Sequence, residues 1–366
     1  MKPYACQCGN TLYFANTLCL ECKREVGYDS VKDRMVYVGS RSNYARCRNG
    51  LEHQACNWAI PVGKAGELCS ACRLTQVIPN LGQEESLALW RLMEQAKRHV
   101  VYSLMRLRLP VADRVQDSEN GLGFKFLRPA AGAPVTTGHE KGVISINLNE
   151  ADDAFREANR ARLHEPYRTL HGHFRHELGH YYWYLWFEVG PQKPGMIQAF
   201  REVFGDERAD YAAAMKRHYE TDTPAHWQND FISAYSTMHP WEDWAESWAH
   251  YLHIRDGLET AEAFGLETGV RGKRIDTFPP EAARLPRPLH RVRTKDFLTL
   301  IHRWVRLSPA LNALSESLGH RNLYPFVLST PVVRKLHFIH ACVESASQGN
   351  GGWRRWWKGL CGAMAV

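Results

Sequence analysis

His176-Glu177-Leu178-Gly179-His180, within the stretch HGHFRHELGHYYWYLW at residues 171–186, carries the pattern H-E-x-x-H. On a helix, positions i and i+4 lie one turn apart on one face, so both imidazoles can converge on a single tetrahedral zinc. Glu177, one step round the helix, can take a proton from a water on that metal. With 18 His in the chain, five residues can also match by accident. Two imidazoles, moreover, do not complete a catalytic zinc site, which takes three protein ligands and keeps one position open.

A third ligand must come from elsewhere. The extension H-E-x-x-H-x-x-G-x-x-H is excluded, because Trp183 and Trp186 stand at its Gly and final His positions. A second helix is the other source, and YSTMHPWEDWAESWAHYLH at 235–253 reads as one opened by Pro240. Glu242, Glu246 and His253 share a face of it, with His250 beside them, while Trp241, Trp244, Trp248 and Leu252 form an apolar side. Acids in a first helical turn also complement the helix dipole, so Glu242 and Asp243 alone would carry no weight. Glu246 lies a turn further in, where a second acid can orient a ligand imidazole. We read Glu242 as the third ligand and Glu246 as that orienting acid, with Glu246 itself, His239 and His250 as rival ligands.

Eight of ten cysteines fall within the first 72 residues, as Cys6, Cys8, Cys19, Cys22 and then Cys47, Cys56, Cys69, Cys72. Each group closes on a C-x-x-C pair, a tight turn whose amides point at the sulfurs. Two structural zinc sites of four cysteines each are expected, with the sharing of cysteines between them left open. Residues 1–80 hold few large aliphatics, and bound metal would supply the missing folding energy. Cys342 and Cys361 stand apart.

The formal charge of +7 is no argument for nucleic acid. Residues 1–80 carry ten Lys/Arg against six Asp/Glu, and eight thiolates holding two zinc ions would bring that excess to zero. No run of 18 apolar residues is present, so no transmembrane helix is expected. The opening MKPYACQCGN has no apolar stretch of a secretory signal, and a cytoplasmic protein is expected, its cysteines reduced or metal-bound.

Residues 84–108 read as an amphipathic helix, and Phe124–Phe126 and Val143–Leu148 alternate as strands. The second strand suits either a sheet edge that pairs with an extended peptide or an ordinary core position. A helix near 150–163 follows, then the H-E-x-x-H helix, entered at Pro166 and ended by Gly190-Pro191. Helices are expected again over 289–343. The segment GNGGWRRWWKGLCGAMAV reads as a flexible, basic, Trp-rich tail.

The motifs CxCG…CLEC, GVISINLNEAD, YRTLHGHFRHELGHYYW, FGDERADY and AYSTMHPWEDWAESWAHYLH together resemble a bacterial family of zinc-binding metallopeptidases with an N-terminal zinc ribbon. The likeness runs to about residue 343. It implies an α+β chain: a Cys-rich zinc-ribbon region at 1–80, a mainly helical zincin-like metallopeptidase domain with a small sheet at 81–345, and the tail at 346–366. The site also resembles gluzincins such as thermolysin and anthrax lethal factor, where a Glu on a later helix is followed four residues on by an acid, as Glu242 is by Glu246. Lethal factor has a Tyr seven residues before its ligand Glu, and Tyr235 matches it. The resemblance implies one catalytic zinc on His176, His180 and Glu242, Glu177 as general base, and Tyr235 as donor to the oxyanion. It also implies two structural zincs and a peptide or protein substrate. The segment FGDERADYAAAMKRHYETD departs from thermolysin, so pocket detail does not carry over. The rival reading is a non-catalytic scaffold whose ribbons bind a protein partner.

Overall fold

Three short antiparallel hairpins carry the cysteines. They pair β1 (Tyr4–Ala5) with β2 (Thr11–Leu12), β3 (Val26–Asp29) with β4 (Arg34–Tyr37), and β5 (Tyr44–Arg46) with β6 (Ala59–Pro61), with α1 (Arg48–His53) between the last two. The computed structural model describes residues 1–129, 135–163, 169–190, 194–266, 278–289 and 292–347. Strands this short bury little on their own, and their core is aromatic. Phe14, Tyr28 and Trp58 meet edge to face. Tyr102 and His99, from α2 (Ser86–Arg106), close the cluster from the other side. The cysteine region therefore shares a continuous core with the helical part. On α2, Trp90, Met93, Val100, Val101 and Leu104 are buried at helical spacing. Lys97 lies in the same stripe, neutralised by Glu94 at 2.8 Å.

One four-stranded sheet follows, from β7 (Thr75–Val77), β8 (Gly123–Leu127), β9 (Gly138–Glu140) and β10 (Val143–Asn147), in the order β7-β8-β10-β9. β8 runs parallel to both β7 and β10, and β9 is antiparallel to β10. Of the two positions considered for the Val143 strand, the edge is thus ruled out: β10 has a neighbour on each side, and β7 and β9 are the edges. Phe124, Phe126, Ile144 and Ile146 are buried at period two. The two phenylalanines meet Phe174 at 5.6 and 6.1 Å between centroids, which seats the sheet on the H-E-x-x-H helix.

The helices are α3 (Asp153–Leu163), α4 (Leu170–Trp183), α5 (Met196–Phe204), α6 (Tyr211–Glu220), α7 (Pro240–Ala263), α8 (Thr294–Ser317) and α9 (Thr330–Ser347). The chain is α+β, with Cys-rich hairpins followed by a helical body. α4 is capped by Thr169, whose hydroxyl accepts from the Gly172 amide at 2.9 Å. It runs on as a π-helical turn over Tyr184–Val189 and stops at Gly190. Pro166, Pro191, Cys361 and the tail from residue 348 lie outside the described residues. Among the described residues no helix is long and apolar enough to cross a membrane.

α7 lies against α4, and Gly179 sets their separation. A Cβ there would stand 2.8 Å from the Ala245 Cα and 3.1 Å from the Trp248 Cβ. With only hydrogen in that place, Trp244 Nε1 donates to the Gly179 carbonyl at 2.8 Å. Behind α7, Phe338 of α9 packs on Trp244, Phe200 and Phe204.

Candidate metal centre

His176 and His180 rise one turn apart on α4 and meet the first turn of α7. Their Nε2 atoms are 3.1 Å apart. Glu242 Oε2 is 3.0 Å from His176 Nε2, and Glu242 Oε1 is 3.4 Å from His180 Nε2. One ligand atom from each of the three residues can be chosen so that all lie within 4.8 Å of one another. Bonds of about 2.0–2.1 Å to a tetrahedral zinc place ligand atoms about 3.3 Å apart, close to the 3.0–3.4 Å separations of these nitrogens and the two Glu242 oxygens.

Protonation makes the same point. His176 Nδ1 is 2.7 Å from Glu246 Oε1. A carboxylate can only accept, so the hydrogen sits on Nδ1 and the lone pair of Nε2 faces Glu242 and His180. Glu242 Oε2 is buried and has no hydrogen-bond donor. With the ring neutral, acceptors thus converge on one point, which a metal ion or, in its place, a proton on His176 Nε2 satisfies. Burial opposes charge on His176, yet Glu242 and Glu246 hold its pKa well above the ordinary value. Burial would raise Glu246, but the His176 imidazole draws it down to about 2. Glu242 is likewise pushed up by burial, and the two imidazoles carry it well below the usual range.

Glu177 is buried on the same helix, with Oε2 unpartnered. Burial raises its pKa, and the neighbouring imidazoles oppose the rise. A carboxyl in that setting is suited to exchanging a proton. The Tyr235 ring lies 5.9 Å from that of His176, on a 3-10 turn just before α7. The Trp241 ring stands 4.7 Å from that of His180, so this residue faces the centre and not the apolar side of α7.

Of the rival ligands, Glu246 bonds His176 Nδ1, and His239 and His250, like two neighbouring histidines, have partners elsewhere. His239 is the N-cap of α7: its Nδ1 accepts from the Trp241 amide and its Nε2 donates to the Ala209 carbonyl, each at 3.1 Å. His250 Nδ1 is 2.9 Å from the Tyr324 hydroxyl. His253 bonds Arg175, which also pairs with Asp256. His173, a turn before His176, is 3.5 Å from Glu150.

Sequence reasoning passed over Tyr211, the first residue of α6. Its hydroxyl donates to Glu242 Oε1 at 2.9 Å, and it also interacts with the Tyr235 hydroxyl. The one local signal was Asp210, whose side chain caps α6 and fixes where that helix starts. Nothing in the pattern aims the ring at a residue 31 positions away.

The cysteines form two groups in chain order, Cys6, Cys8, Cys19, Cys22 and Cys47, Cys56, Cys69, Cys72. Sulfur pairs lie 3.7–3.8 Å apart. This is the spacing of about 3.8 Å that bonds of about 2.3 Å to zinc give. Amides already point at sulfur, from Cys69 to Cys47 and from Trp58 to Cys56, each at 3.3 Å. The first group reaches the surface at Cys8, while the second is fully buried.

Residues 86–342 match the family described as "Putative zinc-binding metallo-peptidase", and residues 3–83 match a zinc-ribbon domain. Uncharacterized proteins of Mycobacterium bovis and of two Mycobacterium tuberculosis strains are each 41% identical over 348 residues, which covers 95% of this chain and 96% of theirs. No solved structure matches.

Proposed function

The chain belongs to this family of zinc-binding metallo-peptidases, and we propose that it hydrolyses peptide bonds at one zinc held by His176, His180 and Glu242, in the manner of gluzincins. The observation that supports this reading is the convergence of one imidazole nitrogen from each of His176 and His180 and a buried Glu242 carboxylate oxygen within 4.8 Å of one another. Bound there, zinc would acidify a water and polarise the scissile carbonyl. Glu177 takes the proton of the attacking water and delivers it to the leaving amine. Tyr235 donates to the oxygen on which negative charge develops. Glu246 keeps the His176 ring in the tautomer that leaves Nε2 free.

Two further zinc ions fill the two four-cysteine groups and hold a ribbon region at 1–80. The zincin-like domain spans 81–345, with a tail at 346–366. The alternative, a silent scaffold, leaves the buried and unpartnered Glu177 oxygen without a role.

The test is Glu177→Gln. The variant keeps its zinc, and the new peptide termini that the wild-type enzyme generates in a cell extract disappear. Equal cleavage by the two proteins would remove Glu177 as the base.

A further inference from the structure

Tyr211 enters the centre from an unusual direction. α6 exposes most of its residues, with Ala214 alone fully buried. Its first side chain nonetheless turns inward. The Tyr211 ring packs 5.2 Å from the ring of His239 and 6.0 Å from that of Trp241, along the start of α7. The hydroxyl then reaches Glu242 Oε1 at 2.9 Å. The same junction is tied by His239, which bonds the Ala209 carbonyl just before α6. The two oxygens of Glu242 are thereby made unequal. Oε1 has a donor and lies 3.4 Å from His180 Nε2; Oε2 has none, is buried, and lies 3.0 Å from His176 Nε2.

We propose that Tyr211 is a positioning residue that makes Glu242 a one-oxygen ligand and so keeps the fourth corner of the metal site open for water and substrate. The inference rests on the metal site proposed above. The physical reason is competition for Oε1. A free carboxylate beside a zinc-sized ion can chelate through both oxygens, and a hydroxyl donating to Oε1 competes with the metal for that oxygen. With the hydroxyl gone, both oxygens of Glu242 would be free to bind a metal held there, which would take the place of an open position.

The test uses the full-length protein with zinc retained in its four-cysteine sites and cobalt(II) loaded into the third site. Thiolate charge-transfer bands report any cobalt that strays to the cysteines. Visible absorption then separates four-coordinate cobalt, which absorbs strongly, from five-coordinate cobalt, which absorbs several-fold more weakly. The wild type shows the strong spectrum. Tyr211→Phe, which keeps the ring and its packing, shows the weak one, and its affinity for cobalt changes by about 10-fold or more, the usual effect of losing a partner behind a ligand. Tyr235→Phe, as a control, keeps the strong spectrum. Identical spectra and affinities for wild type and Tyr211→Phe would overturn the positioning role while leaving the metal site intact. A wild-type protein that binds no third ion would overturn the site itself, and this inference with it.

Discussion

A single carboxylate decides whether the two histidines of α4 become a site. Glu242 is almost wholly buried, at 1% exposure, so its charge must be met by a cation. Replacing it by alanine leaves two imidazoles, too few to hold a catalytic zinc. Glu242→Ala is expected to drop the zinc content from three ions per chain to two, measured by elemental analysis on dialysed protein. A count that stays at three would reject Glu242 as a ligand. Part of this was legible beforehand. The i, i+4 spacing of His176 and His180 is a property of one helix, and so is the four-residue offset from Glu242 at which Glu246 stands behind His176. Tyr211 was not legible, because its partner is reached only through the turn of the chain between α6 and α7.

Between elements, the contact that matters is α4 against α7. Gly179 sits inside the H-E-x-x-H motif at a position the motif leaves free, yet the backbone of α7 comes too close there for a side chain. Gly179→Ala sets two effects against each other. Alanine favours a helix by about 1 kcal/mol over glycine, while overpacking costs about 1–3 kcal/mol. Because the nearest atom is the Ala245 backbone, relief requires the helices to part, and the upper end of that cost applies. The variant should therefore unfold at lower denaturant and bind its third zinc more weakly, since parting moves Glu242 away from both imidazoles. Unchanged or higher stability would show that the spacing can relax. The sheet gives a smaller lesson in the same vein: alternation identified β10 as a strand, but only the pairing with β9 and β8 made it interior.

Across the whole molecule, buried and half-buried histidines set a pH limit. Burial, the largest cause at each, lowers His99 to about 3, His171 to about 4 and His340 to about 3, from an ordinary 6.5. These rings stay neutral in the folded protein while the unfolded chain takes up protons below about pH 6.5. The unfolded state then binds more protons, so stability falls as pH falls through the window from 6.5 towards 4. Each histidine contributes on the order of 1 kcal/mol per pH unit there. Urea denaturation at pH 7.5 and pH 5 is the measurement, and equal midpoints would contradict it. The three belong to α2, α4 and α9, so the loss is global and not confined to the metal centre.

The sequence by itself determined what depends on near neighbours along the chain. That covers two clusters of cysteines, two histidines one helical turn apart with a glutamate between them, an acid pair on a later helix, and alternating strands. Periodicity and spacing encode these directly. The tertiary structure alone decided which of Glu242, Glu246, His239 and His250 meets the two imidazoles, why Gly179 must lack a side chain, and that Tyr211 reaches Glu242. Those are contacts between helices far apart in the chain, and packing across such distances depends on how each helix is capped, turned and pressed against its neighbour, which no local pattern records.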